Sequence, residues 1–87
     1  MQDITNTLRK AIERQDVEAA QFSSHSLKGL ASVYGLNILS DAAALTNSNC
    51  KTGKLNEMVQ HGTRAIKIAD VTLLKLDDLF QVNEEAA

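Results

Sequence analysis

Apolar residues recur along most of this chain at steps of three and four, the spacing that lines one face of an α-helix. Ile4, Leu8, Ala11 and Ile12 make the first such stripe and predict a helix from about Ile4 to Arg14, with Asp3 or Thr5 as its N-cap. Val17, Ala20, Leu27, Ala31 and Tyr34, with Ser24 in the gap, predict a second helix from Asp16 to about Tyr34. Asp16 is its expected N-cap, Glu18 sits where a helix start favours negative charge, and Gly35 suits the left-handed turn that ends it. Leu36, Leu39, Ala43 and Thr46, widened by Ile38, Ala42 and Leu45, predict a third helix from about Asn37 to Asn49. The polar run from Asn47 to Lys54, which contains Gly53, is expected to be a fraying helix end and a loop. The longest stripe runs through Leu55, Met58, Val59, Gly62, Ala65, Ile66, Ala69, Leu73, Leu76, Leu79 and Phe80. It predicts a fourth helix from Lys54 or Leu55 to Phe80, with 81–87 as a frayed acidic tail.

Four amphipathic helices on short connections bury their stripes most simply as an all-α, up-down-up-down antiparallel four-helix bundle. Eighty-seven residues make a single domain, spanning 1–87. The lack of proline and the scarcity of aromatic residues agree with an all-helical chain. A net charge of −2 argues against a nucleic-acid partner, which calls for a basic face. No window holds the roughly 18 apolar residues that would span a bilayer, so no membrane contact is expected. The N-terminus lacks the apolar core of a secretion signal, and the single Cys50 has no partner for an internal disulfide. A reducing, cytoplasmic location is the expectation from these two features.

The chemistry gathers around His25. Residues three and four apart share a helix face, so Phe22, His25, Lys28, Gly29 and Ser32 fall together on the side of the second helix away from its stripe. Glycine within a helix costs about 1 kcal/mol relative to alanine, so Gly29 calls for a reason. Four residues beyond His25, the missing side chain opens the approach to the ring; a helix crossing at close range is the rival explanation. Histidine side chains titrate near neutrality and can act as nucleophiles that form covalent intermediates. Lys28 offers positive charge to an anion held on the ring, although a lone helix lysine is ordinarily just solvated. Together these features suggest a surface histidine that carries a phosphoryl group.

His25-Ser26-Leu27-Lys28-Gly29, followed by Ala31 and Gly35, resembles the core motif of the histidine-containing phosphotransfer (HPt) domains of two-component phosphorelays. Residue types and spacing match at His25, Leu27, Lys28, Gly29 and Gly35, and the flanking helices fall where the family has them. Two positions depart from the pattern: Leu30, where a small residue is usual, and Thr46, where glutamate is common. The resemblance implies a four-helix bundle whose His25 accepts a phosphoryl group from the phospho-aspartate of a response-regulator receiver domain and passes it to another receiver. It implies Lys28 as charge support and Gly29 as access. Phe22 and Ser32 become docking candidates, with a flanking core position as the other reading of Phe22. Some family members use a polar amide on the next helix to hydrogen-bond the active imidazole, and a basic residue one turn later to add charge. Asn47 and Lys51 are the positions that correspond here, or simply two polar residues at a helix end.

No glycine-rich phosphate loop is present, so the chain is expected to be a carrier without its own ATP site and not an enzyme. No cofactor is expected on the chain itself; Mg²⁺ would come with the receiver. The expected state is a monomer, with a hybrid sensor kinase as a possible larger context. A metal site made of His25, His61 and Cys50 is not expected, because no ligand spacing supports it. His61 lacks a lysine at +3 and a glycine at +4 and reads as structural or solvent-exposed. Two alternatives stay open. One is the phosphoacceptor and dimerisation part of a sensor histidine kinase, which typically follows its histidine with an acidic residue and then a proline; here Ser26 follows and no proline exists. The other is a purely structural helical interaction module.

Overall fold

A computed structural model describes the backbone of residues 1–86 and the side chains of residues 1–75. Four helices follow one another: α1 (Gln2–Arg14), α2 (Val17–Val33), α3 (Asn37–Thr52) and α4 (Leu55–Ala86), and the described residues contain no strand. Each helix packs on the next in the chain, and α1 packs back on α4 to close the ring. The core inside it comprises Leu8, Ala11 and Ile12 of α1, Ala20, Leu27 and Ala31 of α2, Leu39, Ala42, Ala43 and Cys50 of α3, and Met58, Ala65, Ile66 and Ala69 of α4.

The three connections use one device. In each, a left-handed residue follows the helix, its N–H bonds the carbonyl three residues back, and the next N–H bonds the carbonyl five residues back. After α1 the left-handed residue is Gln15 (φ 53°), with Gln15 N–H donating to Ile12 O and Asp16 N–H to Ala11 O. After α2 it is Gly35 (φ 71°), with Leu36 N–H donating to Ala31 O at 2.8 Å. After α3 it is Gly53 (φ 71°), with Lys54 N–H donating to Asn49 O at 3.1 Å. Asp16 then caps α2, its Oδ1 accepting from Ala19 N–H at 3.2 Å. A single residue therefore ends one helix and the next begins almost at once.

Several expectations need correction. The first helix begins at Gln2 with no side-chain cap; Asp3 lies inside its first turn, and the buried Thr5 hydroxyl donates to the Met1 carbonyl instead of capping. Val17 and Tyr34, expected on the buried stripe of α2, are exposed, and Ser23 joins Ser24 inside. They lie at the two ends of the helix, where the ring has no neighbour to cover them. Ile38 and Leu45, expected to widen the stripe of α3, also face outward. The third helix continues to Thr52, three residues past its expected end at Asn49, and Asn47 and Asn49 find partners across the bundle where a fraying end was expected. Asn47 Nδ2 donates to the Gln21 carbonyl (2.9 Å), while Asn49 Nδ2 donates to Glu57 (3.3 Å) and its Oδ1 lies 2.7 Å from His61 Nδ1. The fourth helix continues to Ala86, six residues past its expected end. The side chains of Leu76, Leu79 and Phe80, and the fraying expected at 81–87, lie outside the described residues.

Gly62 has a packing reason that its place in the stripe only hints at. A Cβ there would meet the Ile12 side chain, within 2.9 Å of its Cγ1, and Thr46 Cγ2 at 3.5 Å. The missing side chain brings α4 against α1 and α3. Arg9 of α1 clamps the same pair from outside, with two parallel bonds to Asp70 of α4 (2.8 and 3.2 Å).

Two substitutions in this framework move stability in opposite directions. Gln15→Gly removes the side chain from a left-handed residue and raises the unfolding free energy by about 0.5 to 1 kcal/mol. Gly62→Leu overpacks the α1–α4 crossing and lowers it by about 2 kcal/mol or more, whatever leucine adds in helix propensity. Urea unfolding followed by circular dichroism measures both.

Candidate functional site: the outer face of α2

The buried stripe of α2 is narrow. Ala20, Ser23, Ser24, Leu27 and Ala31 are enclosed, and apart from Leu27 they are small. At 100° per residue, His25 stands one step beyond this stripe and points outward. Phe22, His25, Lys28, Gly29 and Ser32 are all exposed, as their spacing predicts. Phe22 is 66% exposed, which excludes the flanking-core reading and leaves an uncovered aromatic ring one turn before the histidine.

Gly29 is open as well. A Cβ built there would find nothing within 4 Å, so no helix crossing requires the glycine. The contrast with Gly62 is direct: one glycine lets helices touch, and the other leaves bare backbone beside an exposed imidazole. On stability alone Gly29 is a cost, because alanine would fit without contact and would favour the helix by about 1 kcal/mol.

The turn of α2 that carries His25 is tied to α3. The carbonyl of Gln21, which lies one helical turn before His25, accepts from Asn47 Nδ2 at 2.9 Å and from Ser24 Oγ at 3.2 Å. Asn47 is buried. It therefore serves the backbone beneath the histidine, and the imidazole bond foreseen for it is not formed. One further turn along, Ser40 Oγ of α3 donates to the Lys28 carbonyl (3.4 Å) and lies 3.0 Å from Ser32 Oγ. Ser32 is thus an exposed link between α2 and α3. Lys51 is exposed at the far end of α3, two residues before the Gly53 that caps it, and takes part in no ion pair among the described residues. Of the seven residues singled out from sequence, five share the outer face of α2, Asn47 supports that face from below, and Lys51 stands apart.

Sequence reasoning missed Ser40 and the part played by Ser24. For Asn47 a signal existed: Ala43, Thr46, Asn47 and Cys50 repeat the three-four spacing and mark Asn47 as inward-facing. The two departures from the family pattern are both accommodated by packing. Leu30 is half-buried, and the fully buried Thr46 satisfies its hydroxyl on the Ala42 carbonyl at 2.9 Å.

His61, which reads from its flanks as structural or solvent-exposed, is half-buried and bonded to Asn49. Cys50 is a buried free thiol, and burial pushes its pKa up, away from the thiolate. Among the described residues no group of His, Cys, Asp and Glu gathers as a metal site. No described helix is long and apolar enough to cross a membrane.

A family model described as Hpt domain matches residues 1–82, and the chain belongs to that family. No curated protein and no solved structure matches it. Hpt domains take part in phosphotransfer in two-component signalling, as phosphocarriers that interact with the receiver domains of response regulators.

Gly29→Ala is expected to raise the midpoint of thermal unfolding, a gain of up to about 1 kcal/mol, because the new methyl meets nothing. Cys50 is expected to resist a thiol reagent such as Ellman's in the native state and to react at once in denaturant, read by absorbance.

Proposed function

We propose that His25 is the phosphorylated residue of this Hpt domain. The observation that carries this reading is the pairing of an exposed imidazole with an open glycine one turn later, at a site where packing asks for neither. A receiver bearing a phospho-aspartate docks over Phe22 and the bare backbone at Gly29. The outer ring nitrogen of His25 attacks phosphorus with its lone pair, in line with the departing carboxylate oxygen. The N–P bond forms as the O–P bond breaks, and the aspartate leaves as its carboxylate. In the second half, a carboxylate oxygen of another receiver attacks the same phosphorus and the imidazole departs.

Phosphoryl transfer asks mainly for positioning and charge neutralisation. Positioning comes from the Asn47 and Ser40 bonds, which fix the α2 backbone on either side of His25. Neutralisation comes from Lys28, about 5–6 Å from His25 at Cβ on helix spacing, and from the divalent cation that the receiver brings. Lys51 adds a more distant positive charge on the neighbouring helix.

The helices alternate up and down. Two residues join α1 to α2, three join α2 to α3 and two join α3 to α4, too few to carry the chain back along a helix before the next begins. The ring of four closes within one chain through the α1–α4 contact, which favours a monomer over the dimerising hairpin of a sensor kinase. A cytoplasmic location, where receivers operate, fits this role.

Incubation with phosphorylated receiver domains and Mg²⁺, followed by intact-mass analysis, tests the assignment. The wild-type chain and His61→Gln gain one acid-labile, base-stable phosphoryl group, and His25→Gln gains none. Lys28→Ala slows the transfer by about tenfold, an effect of about 1.4 kcal/mol on the barrier. Gly29→Leu slows it further while leaving the fold intact. Phosphorylation of His25→Gln to the wild-type extent would remove His25 from the role.

A further inference from the structure

The described surface holds a second feature that the phosphotransfer face does not use. Between the start of α3 and the middle of α4 lies an open groove of about 690 Å³. Its floor is apolar: Leu36, Ile38 and Leu39 on one side, Ile68 and Val71 on the other. None of Phe22, His25, Lys28, Gly29 or Ser32 lines it.

The groove is shaped for a helix. On α4 the residues Ile68, Val71, Thr72 and Lys75 stand at helical spacing and form a stripe beside the one that faces the core. Ile38 faces them from α3 and is 68% exposed; Val71 is 52% exposed. Two helices thus offer a shallow seam with uncovered side chains on both walls, the shape in which the apolar face of a third helix lies.

Among the described residues the charge lining the seam has one sign. Lys67 and Lys75, two turns apart on α4, both line it, and no described acidic residue does. The start of α3 opens at the same place. It carries neither a side-chain cap nor an acidic residue in its first turn, so its positive end is not neutralised within the helix. A basic rim around an apolar floor selects an occupant with the opposite pattern.

We infer that this groove is a docking site for an acidic amphipathic helix of a partner protein, distinct from the receiver that meets His25. The partner places apolar residues at i, i+3, i+4 and i+7 on Ile38, Ile68 and Val71, and glutamate or aspartate side chains beside Lys67, Lys75 and the start of α3. Both surfaces are available at once, so the occupant can hold the domain in an assembly while the His25 face exchanges phosphoryl groups.

The probe is a synthetic helical peptide with leucines at those four spacings and glutamates between them, set against a twin with every glutamate changed to glutamine. Binding to the full chain is followed by fluorescence anisotropy at two salt concentrations and by amide chemical shifts. The glutamate peptide saturates, shifts the amides of Ile38, Val71 and Thr72, and weakens as salt rises. The double variant Lys67→Glu/Lys75→Glu, confined to exposed side chains, loses about tenfold in affinity or more, and His25→Gln loses nothing. Equal binding of the two peptides would overturn the inference. So would shifts confined to the Phe22–Ser32 face, absence of saturation, or displacement of the peptide from the groove by a simple fatty acid that binds there with higher affinity.

Discussion

The rotational setting of α2 decides what this protein presents to a partner. Its inward stripe is one residue wide over most of its length and built from Ala20, Ser23, Ser24, Leu27 and Ala31. Such a stripe fits only one way round: turning the helix by one residue would bury His25 or Lys28 in place of Ser24 or Leu27, and an unpaired buried charge costs far more than the packing returns. Leu27, fully enclosed, sets the phase most firmly, since replacing a buried leucine by alanine costs about 2–5 kcal/mol. Everything on the opposite face follows from that phase, including the outward histidine, the lysine and the open glycine beside it.

Small buried residues set the orientation but supply little apolar area, and polar bonds complete the interface between α2 and α3. Ser23 and Ser24 return their hydroxyls to carbonyls of their own helix. Asn47 crosses to the Gln21 carbonyl and Ser40 to the Lys28 carbonyl, so the turns on either side of His25 are each held from α3. Between α3 and α4, Asn49 bridges Glu57 and His61. Among the described residues no buried side-chain nitrogen or oxygen lacks a partner, which is the condition under which a polar interior rigidifies a fold rather than weakening it. On the proposed function His25 thus sits on a fixed backbone with an exposed side chain, suited to a carrier that must face two receivers in turn.

The fold was legible wherever a residue acts through its own spacing. The existence and order of four helices, the cap at Asp16, the left-handed turn at Gly35 and the outward setting of Phe22, His25, Lys28, Gly29 and Ser32 all follow from periodicity and local chemistry. What depended on distant partners was not legible. The run from Asn47 to Lys54 reads as a fraying helix end and a loop because polar residues ordinarily end helices; it is helix through Thr52, and α2 and α4 bring Gln21, Glu57 and His61 within bonding reach of Asn47 and Asn49. Ile38 and Leu45 read as core because they are apolar, whereas the ring of helices leaves their side of α3 uncovered. The two mid-helix glycines already differ in sequence, Gly62 within an apolar stripe and Gly29 outside one, and the space around each supplies the reason.

The central claim is that one of two histidines, the outward one, takes the phosphoryl group because of where the bundle places it. Labelling the imidazoles with ¹⁵N and recording the domain before and after phosphorylation by a cognate receiver tests this most directly. The account predicts nitrogen–phosphorus coupling on the His25 ring alone, with the His61 resonances unmoved in their bond to Asn49. Coupling on His61, or a phosphorylated chain with neither ring coupled to phosphorus, would contradict it.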